Sequence, residues 1–362
     1  MRYDAVVIGA GPGGSSAARS LAQKGLKVLL IERKTLPRFK LCAGCLSART
    51  STLLPEGWRK KVLNTIRGGI LGFKGGLETH LRAKDDIAFI VDRRDFDLFL
   101  VEKALEEGVD LLQEEEFLTF QEERGSYRVV TNRRTIICDF LVGADGVHSK
   151  VARLLGYRKR KLFRSVEFFL ESYGGDEVRI DIGFVKRGYG WVFPKGEGAS
   201  VGMATAEKED LMKTFLEYSS YITERVPQKV LGWHIPYAEG WDDVSLGKER
   251  VLLVGDAAGL VDPLLGEGIY YAIKSGQLAG RAVVESPSHP STLYRELLRS
   301  TVDDLIYAGK IARLAYRFQK TAFRMGSLGG LDLFYMLLRG EESYRSLYRK
   351  GWKKFIKSLF VA

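Results

Sequence analysis

Tyr3 to Ile8 opens the chain with a nearly uninterrupted apolar run, the pattern of a short strand buried on both faces. Gly9-Ala10-Gly11-Pro12-Gly13-Gly14 interrupts that run as a tight turn. Ser15 to Lys24 then places Ala and Leu at helical spacing, and Lys27 to Ile31 is a second apolar run that ends on Glu32. Gly9 permits the turn, Gly11 lets a pyrophosphate approach backbone N–H groups, and Gly14 lets helix and strand pack, with the helix N-terminus facing the anion. Glu32, eighteen residues after Gly14, is placed to accept from a ribose hydroxyl. An adenine dinucleotide fits this stretch, which does not say which one.

The pattern continues in the same mixed register. Residues 33–47 are basic and aperiodic, with Pro37 and Gly44 inside, and read as a loop beside the first turn. Gly69 to Phe73 and Ile87 to Val91 read as strands, and Asp92 to Glu107 as a helix with acidic residues in its first turn. Val109 to Leu112 is another short strand. A meander over 117–122, 127–131 and 135–138 precedes the strand and turn at Phe140 to Gly146 and a helix from His148 to Leu155. From Leu162 to Ala204 aromatic and β-branched residues alternate between Gly turns, as in an antiparallel sheet. A helix over 208–226, strands at 229–237 and 251–254, a helix from Ile269 to Glu285 and helices beyond Ser291 complete the reading. The expected fold class is α/β (α+β), a doubly wound Rossmann-like nucleotide domain with an inserted antiparallel sheet domain and a C-terminal helical region. The boundaries expected are 1–65, 92–157 and 243–290 for the nucleotide domain, 66–91 and 158–242 for the sheet domain, and 291–362 for the helices.

Composition narrows the function classes. A formal charge of +11 over 362 residues fits nucleic acid, an anionic membrane surface or an anionic substrate. The basic residues form no recognised nucleic-acid module, so that partner is set aside. The start of the chain lacks the pattern of a secretory signal, and no run approaches the ~18 apolar residues of a spanning helix, so a cytoplasmic location is expected. Cys42, Cys45 and Cys138 form no disulfide framework, and the four histidines lack ligand spacing, so no metal site is expected.

Three motifs then occur in order: the first Gly turn with Glu32, Gly143-Ala144-Asp145-Gly146, and Gly255-Asp256-Ala257 followed by Pro263 and Gly266-Glu267-Gly268. They resemble the three FAD signatures of the para-hydroxybenzoate hydroxylase-like flavoproteins, and that resemblance implies FAD as the nucleotide. Asp256 follows a buried strand, where its carboxylate can accept from a ribityl or ribose hydroxyl. A helix beginning at Ile269 would stabilise an anionic reduced flavin. Within that superfamily, Pro37 to Ser47 and Tyr189-Gly190-Trp191-Val192-Phe193-Pro194 resemble the geranylgeranyl reductase family, the second at every fixed position of its Tyr-x-Trp-x-Phe-Pro signature. Arg93, before a Phe-Asp pair, is similar to that family's flavin-contacting arginine.

The resemblance implies reduction of isolated isoprenoid double bonds in membrane lipids or prenyl chains. It implies that Gly9, Gly11, Gly14, Glu32, Arg33, Cys42, Ala43, Cys45, Arg93, Asp256, Gly266, Gly268 and Ile269 hold FAD, with Cys42 beside the flavin as the catalytic candidate. Tyr189, Trp191 and Phe193 alternate, so all three project from one strand face, either as core or as the wall of a cavity for a long apolar chain. Aromatic faces there would ease carbocation character in the alkene. Cys45 stands where the family usually has a small residue, and the Cys-Ala-Gly-Cys spacing leaves open a disulfide or two independent thiols. Electron donors compatible with the sequence are NAD(P)H or a ferredoxin. Tyr344 to Phe360 spaces apolar residues i, i+3, i+4 among Arg and Lys, either a peripheral membrane helix or a terminal helix packed on its own domain. The rival readings are a flavin monooxygenase or halogenase on the same fold, although Tyr189 and Phe193 depart from the halogenase Trp-x-Trp-x-Ile-Pro pattern, and a non-catalytic prenyl-lipid binding protein.

Overall fold

The computed structural model describes residues 1–157 and 160–359, with backbone alone at 329, 331 and 352–359. Its first unit is the expected one. The Arg2–Ile8 strand runs into a helix at Pro12–Ala22, whose first residue is a proline that gives up an N–H no helix start can use. The Val28–Ile31 strand then lies parallel to the first, with Ala5 opposite Val28 and Ile8 opposite Ile31. Gly9 carries the turn at φ +101, and a Cβ there would come within 2.5 Å of the Ala144 carbonyl oxygen. No side chain fits where the first and second Gly turns meet.

These strands belong to an eight-stranded sheet. In spatial order its main path is Gly247–Lys248, Val251–Leu253, Thr135–Gly143, Arg2–Ile8, Val28–Ile31 and Asp110–Leu112. Thr135–Gly143 is one continuous strand where the sequence reads two. Its first half pairs antiparallel with Ser126–Thr131, and its second half pairs parallel with Val251–Leu253, so the meander and the parallel sheet share it. The helix Pro12–Ala22 packs against Ile269–Glu285 on one face of this sheet. Gly276 allows the approach, since a Cβ there would sit 2.3 Å from the Gly13 carbonyl oxygen and 3.0 Å from Ala17 N.

A seven-stranded sheet follows the order Leu231–Tyr237, Lys161–Leu170, Gly198–Thr205, Gly188–Lys195, Val178–Ile182, Gly68–Phe73 and Leu77–Arg82. It is antiparallel except where Val178–Ile182 runs parallel to Gly68–Phe73. One face is covered by the helix Leu211–Ile222 through Leu211, Phe215 and Tyr218. The other packs on the C-terminal helices Pro290–Arg317 and Gln319–Met325 through Tyr316 and Phe323. Ala88–Val91, grouped above with this sheet, instead pairs with Cys45–Ser47 and Val62–Ile66 in a small third sheet. All four of its residues are buried, which suits the middle strand of a separate sheet. Cys45–Ser47 is therefore strand, where the aperiodic 33–47 segment reads as loop throughout.

After Pro290 the chain is helical, ending in helices at Leu331–Arg339 and Tyr344–Leu359. The side chains of Trp352, Phe355, Ile356 and Leu359, and Phe360 itself, lie outside the described residues. Among the described residues no helix is long and apolar enough to cross a membrane.

Replacing Gly276 by Ala forces the two paired helices apart, because both obstructing atoms are backbone. Overpacking of this kind costs ~1–3 kcal/mol, and Gly276→Ala should lower the denaturant midpoint accordingly; an unchanged midpoint would show that this helix pair has slack.

Candidate active site

The adenosine end is built by the first turn. Glu32 is buried at the end of its strand; its Oε2 accepts from Ala10 N at 3.1 Å and from Arg38 Nε at 3.1 Å, and its Oε1 accepts from Lys34 N at 3.1 Å. Arg38 continues to Asp97, with Nη1 3.2 Å from Oδ2, and the buried Asp97 takes Arg93 bidentately at 2.7 and 2.9 Å. A chain of alternating charge thus runs from the Gly turn to the Cys42 loop. Burial opposes the charge on Arg93, but Asp97 and then Cys42 outweigh it and raise its pKa. Gly11 faces only the Arg38 guanidinium, 3.5 Å from where a Cβ would lie. Arg33 is exposed and lies near His148, whose pKa falls through burial first and then through His234, Arg153, Arg160 and Arg33. Neither Arg38 nor Asp97 stands out in the sequence, because one sits in an aperiodic loop and the other inside a helix.

The other end is built by two segments that meet. Cys42 is half-buried, its Sγ accepts from Gly44 N at 3.4 Å, and its carbonyl accepts from Lys195 Nζ at 3.1 Å. Cys42 and Cys45 are separate thiols here. Burial, then Glu267 and Cys42, push the Cys45 thiol far above its ordinary value, so it stays protonated. Ala43 packs against the same cluster as Tyr189 and Trp191. Lys40 is pulled down by burial and by Arg93, and its Nζ lies 4.2 Å from the centre of the Trp233 ring.

Facing the Cys42 loop is the turn 262–268. Asp262 is fully buried; its Oδ1 accepts from Leu264 N at 2.7 Å and Leu265 N at 3.0 Å, and its Oδ2 accepts from the Tyr344 hydroxyl. Tyr189 donates to the Leu265 carbonyl and Tyr316 to the Leu264 carbonyl, both at 2.7 Å. Glu267 pairs with Arg49, which also donates to the Tyr271 hydroxyl at 3.2 Å. Gly266, at φ +67, lies against Tyr189, since a Cβ would meet its hydroxyl at 2.8 Å. Asp256 brings Oδ1 to within 3.4 Å of where a Cβ on Gly268 would stand, and Gly268 precedes the buried Ile269 at the start of its helix. Arg160 holds this corner by donating to the Asp256 carbonyl at 2.5 Å and to that of Ala257.

Tyr189, Trp191 and Phe193 do share one strand face. Tyr189 stacks on Tyr316 with centroids 6.5 Å apart and lies 6.0 Å from Trp191, so these rings pack between the sheet and the C-terminal helices. Trp191 Nε1 donates to Ser200 Oγ at 3.0 Å, and its indole covers Gly202. Tyr189 and Trp191 are buried and Phe193 half-buried.

These residues fit FAD. Asp145 Oδ1, at the second Gly turn, and Glu267 Oε1, at the third, are buried oxygens without a hydrogen-bond partner among the described residues. FAD carries hydroxyl and N–H donors that match such acceptors, and the N-terminus of the Pro12–Ala22 helix, which has no side-chain cap, matches its pyrophosphate. Asp145 uses its other oxygen to cap a short helix, accepting from Lys150 N at 2.6 Å and Val151 N at 3.2 Å.

Comparison with known proteins agrees. Residues 2–173 match the family described as FAD binding domain. A digeranylgeranylglycerophospholipid reductase of Methanothrix thermoacetophila is 31% identical over 323 residues, covering 81% of this chain and 80% of that one. The crystal structure of a geranylgeranyl bacteriochlorophyll reductase-like protein from Thermoplasma acidophilum superposes with a TM-score of 0.77 at 21% identity, covering 99% and 98% of the two chains. A flavin-dependent brominase superposes as well, at 0.78 and 18% identity over 99% and 100%, so the fold is shared beyond reductases.

Burial, above all, raises Asp262 to about 6, so the folded state holds this proton more tightly than the unfolded chain. The stability linked to it is complete below the ordinary value of 3.8 and is lost as pH rises through about 6. Resistance to thermal unfolding should fall as pH rises across that window, by on the order of 1–3 kcal/mol, and the decline should flatten in Asp262→Asn; parallel pH profiles for the two proteins would contradict the assignment.

Proposed function

The chain belongs to the geranylgeranyl reductase family, and on that premise we propose that it saturates isolated double bonds in the isoprenoid chains of lipids or prenyl compounds. It is an FAD-dependent oxidoreductase, and bound FAD, once reduced, supplies the hydride. The observation that carries the substrate class is the placement of the Tyr189, Trp191 and Phe193 face against the turn 262–268 and the cluster containing Ala43. An apolar chain bound at that face would meet aromatic surface. The charges of Arg38, Arg93 and Lys40 lie together on the loop side, where they suit an anionic reduced flavin.

The chain's own residues divide the remaining work. Arg93, held by Asp97, keeps a fixed positive charge beside Cys42. Lys195, from the strand that also carries the aromatic triplet, ties down the Cys42 carbonyl. Cys42 shapes the surroundings of the flavin ring, and the packed C-terminal helices keep water from the aromatic face. Membrane contact through the basic C-terminal helix would bring the protein to a lipid substrate. NAD(P)H or a ferredoxin would reduce the flavin.

Purified protein should be yellow. Given a strong reductant, it should add hydrogens in pairs to a geranylgeranyl lipid, read by mass spectrometry, while an unchanged lipid across many chain types would count against the proposal. Cys42→Ser should keep FAD and lose ~10-fold or more in turnover, about 1.4 kcal/mol of barrier.

A further inference from the structure

Most carboxyls buried in this protein have a cation on them: Asp97 has Arg93 and Arg38, Asp181 has Arg179, Glu115 has Arg134, and Glu267 has Arg49. Glu167 does not. It is 3% exposed in the middle of the Lys161–Leu170 strand, opposite Gly202 in the register. Its Oε1 accepts from Ser200 Oγ at 2.7 Å, and Ser200 in turn accepts from Trp191 Nε1. Its other oxygen makes no hydrogen bond among the described residues. Gly202, which faces it across the strand pair, is covered by the Trp191 indole, with ring carbon within 2.1 Å of where a Cβ would lie. The carboxyl therefore stands beside Trp191 on the aromatic face.

A buried carboxyl without a cation is costly, and an apolar residue would pack this sheet at less expense. Burial lifts Glu167 to about 7, against the opposing influence of Ser200, Lys195 and Lys40. Those two lysines are the charges that face it, and both belong to the Cys42 loop or bond to it: Lys195 holds the Cys42 carbonyl, and Lys40 lies two residues before Cys42 over the Trp233 ring. Trp233 pairs in register with Ser165, on the same strand as Glu167. Other acids nearby are poor donors at neutral pH: Asp262, raised only to about 6, is mostly ionised there and its oxygens are taken by Leu264 N, Leu265 N and the Tyr344 hydroxyl. The Tyr189 and Tyr316 hydroxyls are committed to backbone carbonyls and raised by burial, as is the Cys45 thiol.

Saturating an isolated alkene needs a proton as well as a hydride. Resting on the function proposed above, we propose that Glu167 is the proton source for the reduction. Its O–H bond breaks as a C–H bond forms on one alkene carbon, and the hydride from reduced FAD closes the other, so the flavin is oxidised and the alkene reduced. The carboxylate then recovers a proton from water; an opening of about 390 Å³ lined by Phe39, Lys40, Lys195 and Phe169, two residues further along the same strand, lies on that side. Ser200 is a positioning residue, since its hydroxyl bonds Oε1 and leaves the other oxygen for the proton.

The experiment compares wild type, Glu167→Gln and Ser200→Ala, each loaded with FAD, in single turnovers of a geranylgeranyl lipid across pH. Glu167→Gln should bind FAD with an unchanged absorption spectrum yet form product ~100-fold or more slowly, and the fall in rate expected of wild type above about pH 7 should vanish. In Ser200→Ala that fall should move to higher pH, because the hydroxyl that favours the carboxylate is gone. Infrared difference spectra of the protein without substrate should show a protonated carboxyl band that titrates near neutral pH and is absent in Glu167→Gln. Wild-type rate and pH profile in Glu167→Gln would overturn the proposal. An unshifted profile in Ser200→Ala, or a set of titrating carboxyl bands that Glu167→Gln leaves intact, would do the same. If wild type itself reduces no alkene while the band titrates as expected, the reading of the function fails, and the proton source with it; turnover by wild type with no effect of Glu167→Gln removes Glu167 alone.

Discussion

Placing the carboxyl of Asp262 at full burial with no cation in contact costs several kcal/mol unless donors surround it. The donors come from its own turn and from Tyr344 in the last helix. Tyr189 of the seven-stranded sheet and Tyr316 of the long C-terminal helix bind the next two carbonyls of the same turn. One loop is thereby gripped from the seven-stranded sheet and from two of the C-terminal helices. Wherever that turn sits, the flavin side and the aromatic face must meet.

The two walls so joined differ in charge. On the loop side, Glu32, Arg38, Asp97 and Arg93 form a chain of alternating sign, with Lys40 and Lys195 beyond it. On the sheet side, rings dominate, and the polar atoms among them are committed, Tyr189 to a carbonyl and Trp191 to Ser200. Glu167 is the exception on that side, with one oxygen bonded to Ser200, and the proton transfer proposed above would account for it. A fixed cationic wall suits an anionic reduced flavin, and a neutral aromatic one suits an apolar chain bearing transient positive character.

What the sequence disclosed were features carried by neighbouring residues. The Gly9 to Glu32 unit, the start of the helix at Ile269 and the shared face of Tyr189, Trp191 and Phe193 depend on spacing within one turn or strand, and spacing is visible in a string of letters. Arg38 and Asp97 stayed hidden because their meeting spans 59 residues of chain and neither position is unusual for its element. Glu167 likewise reads as an ordinary polar residue in an alternating strand, and only the packing of Trp191 over Gly202 shows how deeply it lies. The strand at Ala88–Val91 went to an unexpected sheet because an apolar run states that a strand is buried, not which partner buries it.

The central claim is that the wall of aromatic rings presents an alkene to a reduced flavin. Anaerobic mixing of the protein, its FAD fully reduced, with a geranylgeranyl lipid tests this most directly, by following flavin absorbance and lipid mass together. Flavin reoxidation that depends on lipid concentration, with one double bond lost for each flavin reoxidised, is the expected result. Flavin that stays reduced until oxygen is admitted, with the lipid then hydroxylated or unchanged, would contradict it.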